Sequence, residues 1–145
     1  MIVCVVDSSV IVKWLSQQQE ERLEQADELL RQAEIVGGQL YTSQLADYEI
    51  GNALLLKKKL TPAQANKAWQ VYEGLPVERL AQTQDRAKLS YKLGHKYGLT
   101  FYDAVFAALA YEKACPLVSD NPKHQSRVKE VEVIALKGFS KNGSN

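Results

Sequence analysis

The chain has 145 residues, and its 18 Lys and Arg residues nearly balance 17 Asp and Glu residues, for a net charge of +1 at pH 7. This length suits one domain, 1–145, with a substantial core, and no apolar run is long enough to span a membrane. We therefore expect a soluble protein of the cytoplasm. The two cysteines, Cys4 and Cys115, form no C-x-x-C pair and the two histidines are isolated, so buried reduced thiols are favoured over a zinc site.

The first half of the chain alternates short apolar runs with helical patterns. Met1 to Val6 is rich in β-branched residues without alternation, which predicts a strand buried on both faces. Asp7-Ser8-Ser9 ends this strand, and either serine is suited to cap a helix over Val10 to Leu15. The later patterns predict an amphipathic helix over 20–35, a short strand over 40–42, and a helix from a Ser43 cap to about Lys59. The run Lys57-Lys58-Lys59 has two interpretations, a basic face that attracts a phosphate backbone and a solvated helix end, of which the second is favoured.

The second half continues the alternation. Thr61-Pro62 begins a helix that ends at Gly74. The remaining patterns predict a strand over 76–80, a helix over 84–97 closed by Gly98, a helix from Thr100, strands over 116–119 and 131–136, and a frayed tail over 141–145. Alternating strands and helices predict an α/β protein with a mainly parallel sheet covered on both faces.

The helix that follows Thr100 carries a carboxylate at its entrance. Thr100 and Asp103 have the spacing of a capping box, and the residues from Asp103 to Glu112 are apolar on almost every side. A helix that is apolar all round is usually buried, so an ionised Asp103 must be compensated. Asp103 is therefore either a helix cap or a functional acid.

Other acids and amides lie where they can meet Asp103. Asp7 follows the first predicted strand, and Asp120 and Asn121 follow another, at the strand ends where parallel sheets place their sites. Glu49 and Asn52 share one helix face beside the core stripe. Each also has a structural reading: Asp7 as a cap, Glu49 as a boundary residue, and Asp120-Asn121-Pro122 as a turn.

These candidate ligands are all oxygen donors, which suit Mg²⁺ or Mn²⁺ rather than zinc. A bound divalent ion lowers the pKa of water and neutralises charge on phosphate, which is the chemistry of phosphodiester hydrolysis. The chain contains no G-x-x-x-x-G-K, G-x-G-x-x-G or G-x-S-x-G motif. Asp7 also lacks the second aspartate two residues later that aspartyl phosphotransferases often carry.

Four stretches spread over nearly the whole chain resemble the motifs of the PIN domain family, and within it the VapC-type toxin ribonucleases. They are the strand ending in Asp7-Ser8-Ser9, the helix with Glu49, the Thr100-Phe101-Tyr102-Asp103 stretch and Leu117-Val118-Ser119-Asp120-Asn121. The third is the most specific of the four. In the last, Ser119 stands in for a motif threonine and the motif acid falls on Asn121, while Asp120 occupies a variable position.

The resemblance implies a three-layer α/β/α sandwich and a Mg²⁺-dependent endoribonuclease. It assigns Asp7, Glu49 and Asp103 to the metal site, with Asn121 or Asp120 at the fourth position and Ser9, Asn52 and Ser119 in support. It also implies an RNA substrate, a homodimer and a small antitoxin partner. A degenerate PIN domain that binds RNA or protein without cleavage is the alternative function. Three aromatic side chains are predicted to be either dimer anchors or core residues: Trp14, Trp69 and Tyr72.

Overall fold

A computed structural model describes residues 1–139 of the chain, so the predicted tail over 141–145 lies outside the described residues. The strands are β1 (Val3–Val6), β2 (Gln39–Ser43), β3 (Val77–Leu80), β4 (Leu117–Ser119) and β5 (Val133–Ala135). The α-helices are α1 (Ser8–Leu15), α2 (Leu23–Ala33), α3 (Leu45–Asn52), α4 (Pro62–Gly74), α5 (Gln84–Tyr97) and α6 (Phe101–Lys113). A π-helical turn (Ala53–Lys57) extends α3, and short 3₁₀ turns cover Gln125–Arg127 and Leu136–Gly138.

The five strands form one parallel sheet in the order β3-β2-β1-β4-β5. The chain moves in one direction from β1 to β3 and in the opposite direction from β3 to β5. Because parallel crossovers are right-handed, these two directions place their helices on opposite faces of the sheet. Accordingly, α1 packs against α2, α3 and α4, whereas α6 packs against α5 and over β1, β2 and β4. The predicted three-layer α/β/α sandwich is confirmed.

The central strands and α6 form the core. Val5 and Val6 of β1 and Leu117 and Val118 of β4 are fully buried, which confirms that these strands are covered on both faces. All side chains from Ala104 to Ala110 are buried as well, as the apolar pattern of α6 predicted. Among residues 1–139, no helix has the length and apolar character needed to cross a membrane.

The three aromatic side chains considered as dimer anchors belong to the core of the monomer. Tyr72 is buried, and Trp69 lies against it with ring centroids 6.0 Å apart. The indole N–H of Trp14 donates to the carbonyl of Ala26 at 2.9 Å. Trp14 and Trp69 are partly buried against the same core, which favours the interpretation of these residues as core residues.

The sheet topology creates a crevice at the carboxyl ends of β1 and β4. These two strands are neighbours, and Val6 pairs with Val118 across them. The connections that follow them lead to opposite sides of the sheet, which is the arrangement in which ligand sites of parallel sheets occur. The residues after this pair are Asp7, which follows β1, and Ser119, which is the last residue of β4. They therefore lie side by side at this crevice.

Candidate active site

Asp7 occupies the end of β1 and caps α1 with its own carboxylate. Its Oδ1 accepts hydrogen bonds from the backbone N–H of Ser9, at 3.1 Å, and from the Ser9 hydroxyl. The prediction of Ser8 or Ser9 as the cap is therefore wrong, because α1 begins at Ser8 and not at Val10, and Asp7 is the cap, as its structural interpretation held. Burial raises the pKa of Asp7, although hydrogen bonds from Ser119, Ser9 and Gln125 favour its charged form.

Two serines fix the geometry between the ends of β1 and β4. The Ser9 hydroxyl donates to Asp7 and accepts from the backbone N–H of Asp120 at 3.0 Å. The hydroxyl of Ser119, which is itself buried, accepts from the backbone N–H of Asn121 at 3.2 Å. Ser9 thus connects the Asp7 carboxylate directly to the turn that follows β4.

Glu49 reaches the same crevice from α3. The Ser8 hydroxyl donates to its Oε1 at 2.9 Å, so the first turn of α1 holds a second acid in place. Burial raises the pKa of Glu49, and repulsion from Asp7 and Asp103 raises it further, against the hydrogen bond from Ser8. The sequence indicated Ser8 only as a possible cap, because nothing local reveals a contact with a residue 41 positions away.

Asp103 lies in the first turn of α6, as predicted. Its backbone N–H donates to the Thr100 hydroxyl at 3.1 Å, which confirms Thr100 as the cap. This cap uses the backbone of Asp103 and not its half-buried carboxylate. The negative charge of Asp103 acts on Glu49, as that of Asp7 does.

Asp120 and its neighbour Asn121 have different surroundings. The Asp120 carboxylate accepts from Nε and Nη2 of Arg22, at 2.6 Å and 3.1 Å, and pairs with Lys13 Nζ at 3.1 Å. Burial acts to raise the pKa of Asp120, but Arg22 and Lys13 outweigh it and hold the pKa below its usual range. Asp120 is thus already neutralised by protein cations.

Asp120 belongs to a larger set of charges that we call the ion cluster: Lys13, Glu20, Arg22, Lys58 and Asp120. Glu20 joins Lys13 at 2.9 Å and Lys58 at 2.8 Å. Lys13 is 2% exposed and Lys58 8% exposed. The prediction that Lys57 to Lys59 form a solvated helix end is therefore wrong for Lys58. The burial of Lys13 could have been inferred from the sequence, because this lysine lies in the otherwise apolar run of α1.

Of the three candidate acids, Glu49 lines a cleft of about 570 Å³, whereas Asp7 and Asp103 are not among the lining residues. Its wall includes Glu49, Asn52 and Asn121, together with Lys57 and Lys58 from the end of α3. Asn52 therefore lies beside Glu49 in the cleft, as the helical spacing predicted. Asn121 adds an amide to the same wall.

The donors in the crevice are carboxylate, amide and hydroxyl oxygens, the ligand types of Mg²⁺ and Mn²⁺. Among residues 1–139, no three His, Cys, Asp or Glu side chains are arranged to hold a metal ion as they stand. Burial raises the pKa of Glu49, and the negative charges of Asp7 and Asp103 raise it further. A hard divalent cation relieves this repulsion, so the chemistry of the residues fits such an ion.

The PIN domain model matches residues 4–131 of the chain. The chain is 34% identical over 113 residues to Ribonuclease VapC3 of Pyrobaculum aerophilum, with 73% of this chain and 79% of that protein covered. Among solved structures, it resembles a toxin-antitoxin complex from Klebsiella pneumoniae, with a TM-score of 0.67, 19% identity and coverage of 92% of this chain and 97% of the other.

The chain also resembles VapBC2 from Rickettsia felis bound to a promoter DNA fragment, with a TM-score of 0.69 and 14% identity. The match covers 92% of this chain and 98% of the other. A third solved structure is VapC20 of Mycobacterium tuberculosis, a toxin that cleaves the sarcin-ricin loop, with a TM-score of 0.66, 15% identity and coverage of 95% and 97%. At these identities the solved structures show a shared fold. The family model and the VapC3 relative together establish that this chain belongs to the PIN domain family.

Proposed function

We propose that this protein is an endoribonuclease that depends on Mg²⁺ or Mn²⁺ and acts in the cytoplasm as the toxin of a toxin-antitoxin pair. The observation that carries the proposal is that the charges of Asp7 and Asp103 both act on Glu49, which the Ser8 hydroxyl holds at the start of α1. The similarity to a VapC ribonuclease supports the reaction class, and the likeness to toxin-antitoxin complexes supports the biological role.

Asp7, Glu49 and Asp103 would hold the metal ion, which supplies an activated water and neutralises charge on the scissile phosphate. Ser9 orients the Asp7 carboxylate, and Ser8 orients Glu49 through its hydroxyl. These hydrogen bonds prepare the acids before substrate arrives, which reduces the reorganisation needed during the reaction.

The proposal is tested with labelled single-stranded RNA incubated with the purified protein in Mg²⁺, in Mn²⁺ or in chelator. We expect cleavage in both metals and none in chelator. Equal cleavage in metal and chelator would refute the metal mechanism. RNA binding without cleavage under every condition would instead favour the alternative, a PIN domain that acts as a binding module.

The fourth position of the site is proposed to belong to Asn121. Asp120 and Asn121 both line the cleft, but the Asp120 carboxylate is already paired with Arg22 and Lys13. A neutral amide oxygen binds Mg²⁺ more weakly than a carboxylate does, so the chain holds one metal well and a second poorly. We predict that Asn121→Asp lowers several-fold the Mg²⁺ concentration needed for half-maximal cleavage.

Asp120→Asn is the matched control for this prediction, because it changes the neighbouring carboxylate. We expect its Mg²⁺ requirement to equal that of the parent, with some loss of stability from the ion cluster. The metal titration of cleavage rate measures both variants. Loss of activity in Asp120→Asn together with no effect of Asn121→Asp would assign the fourth position to Asp120.

We also propose that the chain forms a homodimer and binds a small antitoxin. Three exposed apolar side chains lie beside the site and line a cavity of about 250 Å³: Tyr48, Phe101 and Tyr102. Exposed apolar surface of this kind marks interaction sites, and it supports a homodimer. Light scattering on the purified chain measures this state, and a monomer at micromolar concentration would contradict the homodimer.

A further inference from the structure

Helix α3 does not end as an α-helix. After Asn52 it continues through the π-helical turn, where the backbone N–H of Lys58 donates to the carbonyl of Ala53 at 2.9 Å, five residues earlier. π-helical turns are rare in proteins, and many of those that occur lie at functional sites. This one begins directly after the cleft residue Asn52.

The π-helical turn changes which lysines face the cleft. At 3.6 residues per turn, an uninterrupted α-helix would place Lys58 about 180° from Glu49. A π turn contains more residues than an α turn, so the residues after it are rotated back towards the face of Glu49. Lys57 and Lys58 consequently line the same cleft as Glu49 and Asn52.

The two lysines differ in what neutralises them. Lys58 is buried in the ion cluster and pairs with Glu20. Lys57 is exposed, and none of the ion pairs formed within residues 1–139 includes it. Lys13 and Arg22, the other cations near the cleft, are already paired with Asp120. Lys57 is therefore a cation of the cleft wall that remains available to an anion from solution.

We infer that Lys57 is a substrate-binding residue that contacts a phosphate of the RNA strand beside the scissile bond. This inference rests on the proposed ribonuclease function. The acids of the crevice repel the phosphates of an RNA chain, and a cation on the cleft wall offsets that repulsion where the strand enters. The phosphate that Lys57 contacts is a neighbour of the scissile phosphate and does not react. Lys57 therefore contributes to substrate binding and not to the chemical step.

The test compares Lys57→Gln with Lys59→Gln, which removes the same charge two positions along the chain. Lys59 is exposed and is not among the residues that line the cleft. For Lys57→Gln we expect KM for single-stranded RNA to rise roughly tenfold, as for a lost hydrogen bond to a charged group, with kcat within about twofold of the parent. The slope of log(kcat/KM) against log salt concentration should become shallower by about 0.7.

Lys59→Gln is expected to keep the KM and salt slope of the parent, and Lys57→Arg should restore both, because it restores the charge. If the parent cleaves RNA and Lys57→Gln matches Lys59→Gln in KM and salt slope, Lys57 does not bind substrate and the ribonuclease proposal stands. If the parent neither cleaves nor binds single-stranded RNA, the proposed function fails and this inference fails with it.

Discussion

Asp103→Asn is expected to lower metal-dependent RNA cleavage by about a thousandfold or more, because a metal ligand contributes several kcal/mol to the barrier. The same substitution should leave the melting temperature unchanged or slightly raised. Asp103 repels Glu49 in the crevice, so removing one charge relieves strain in the metal-free protein. Cleavage rate and melting temperature measured on the same preparation test both parts.

The matched control is Asp85→Asn. Asp85 is an exposed acid in the first turn of α5, a helix capped by Thr83 as α6 is capped by Thr100. Both substitutions remove a negative charge from a helix start, whose dipole favours it by about 0.3–1 kcal/mol. Only Asp103→Asn should abolish cleavage. An active Asp103→Asn protein that melts earlier would show that Asp103 has a structural role alone.

Lys13→Met is expected to lower the free energy of unfolding by about 3 kcal/mol at pH 7, as when one member of a buried ion pair is removed. Methionine keeps the length of the side chain but leaves Glu20 and Asp120 with one cation fewer. Both carboxylates are largely buried, so water compensates little for the loss. Urea denaturation of the two proteins measures the difference.

Lys96→Met provides the comparison for Lys13→Met, because Lys96 is largely exposed and pairs with Glu130 on the surface. Its expected cost is below about 1 kcal/mol. Equal losses in the two variants would show that burial of the ion cluster adds nothing to stability.

The ion cluster also predicts a pH dependence. Burial acts to raise the pKa values of Glu20 and Asp120, but their cationic partners hold both below the usual range. A carboxylate with a lowered pKa stabilises the fold above its unfolded pKa, about 4, and loses that contribution as the pH falls through its folded pKa. The stability difference between the parent and Lys13→Met should therefore shrink below about pH 4.

The helices whose ends could be predicted from the sequence are those that start or stop at a motif of a few neighbouring residues. Thr61-Pro62 sets the start of α4, where Thr61 and Gln64 form a capping box, and Gly98 ends α5 with φ 66°. Both helices have the predicted bounds. Helix α2 covers Leu23–Ala33 and is shorter than the predicted 20–35. It starts late because Arg22 adopts a left-handed conformation, and the side chain of Arg22 bonds to Asp120.

The positions of the candidate acids were predictable from the sequence, but the contacts that support them were not. Asp7 follows a strand, Asp103 lies in the first turn of a helix and Glu49 lies within one, and local sequence shows all three positions. The ion cluster joins Arg22 to a residue 98 positions away, and no periodicity encodes such a contact. The ion pair of Lys58, which follows the π-helical turn, with Glu20 is likewise a contact between residues far apart in the chain.

The place of β4 in the chain bears on when the crevice can first form during translation. The crevice needs β1 on one side and β4, Leu117–Ser119, on the other, and β4 is among the last elements to be synthesised. A nascent chain that has emerged only as far as α6 already contains Asp7, Glu49 and Asp103, yet the strand that pairs with β1 beside them is missing. The crevice is thus completed only when almost the whole chain has left the exit tunnel.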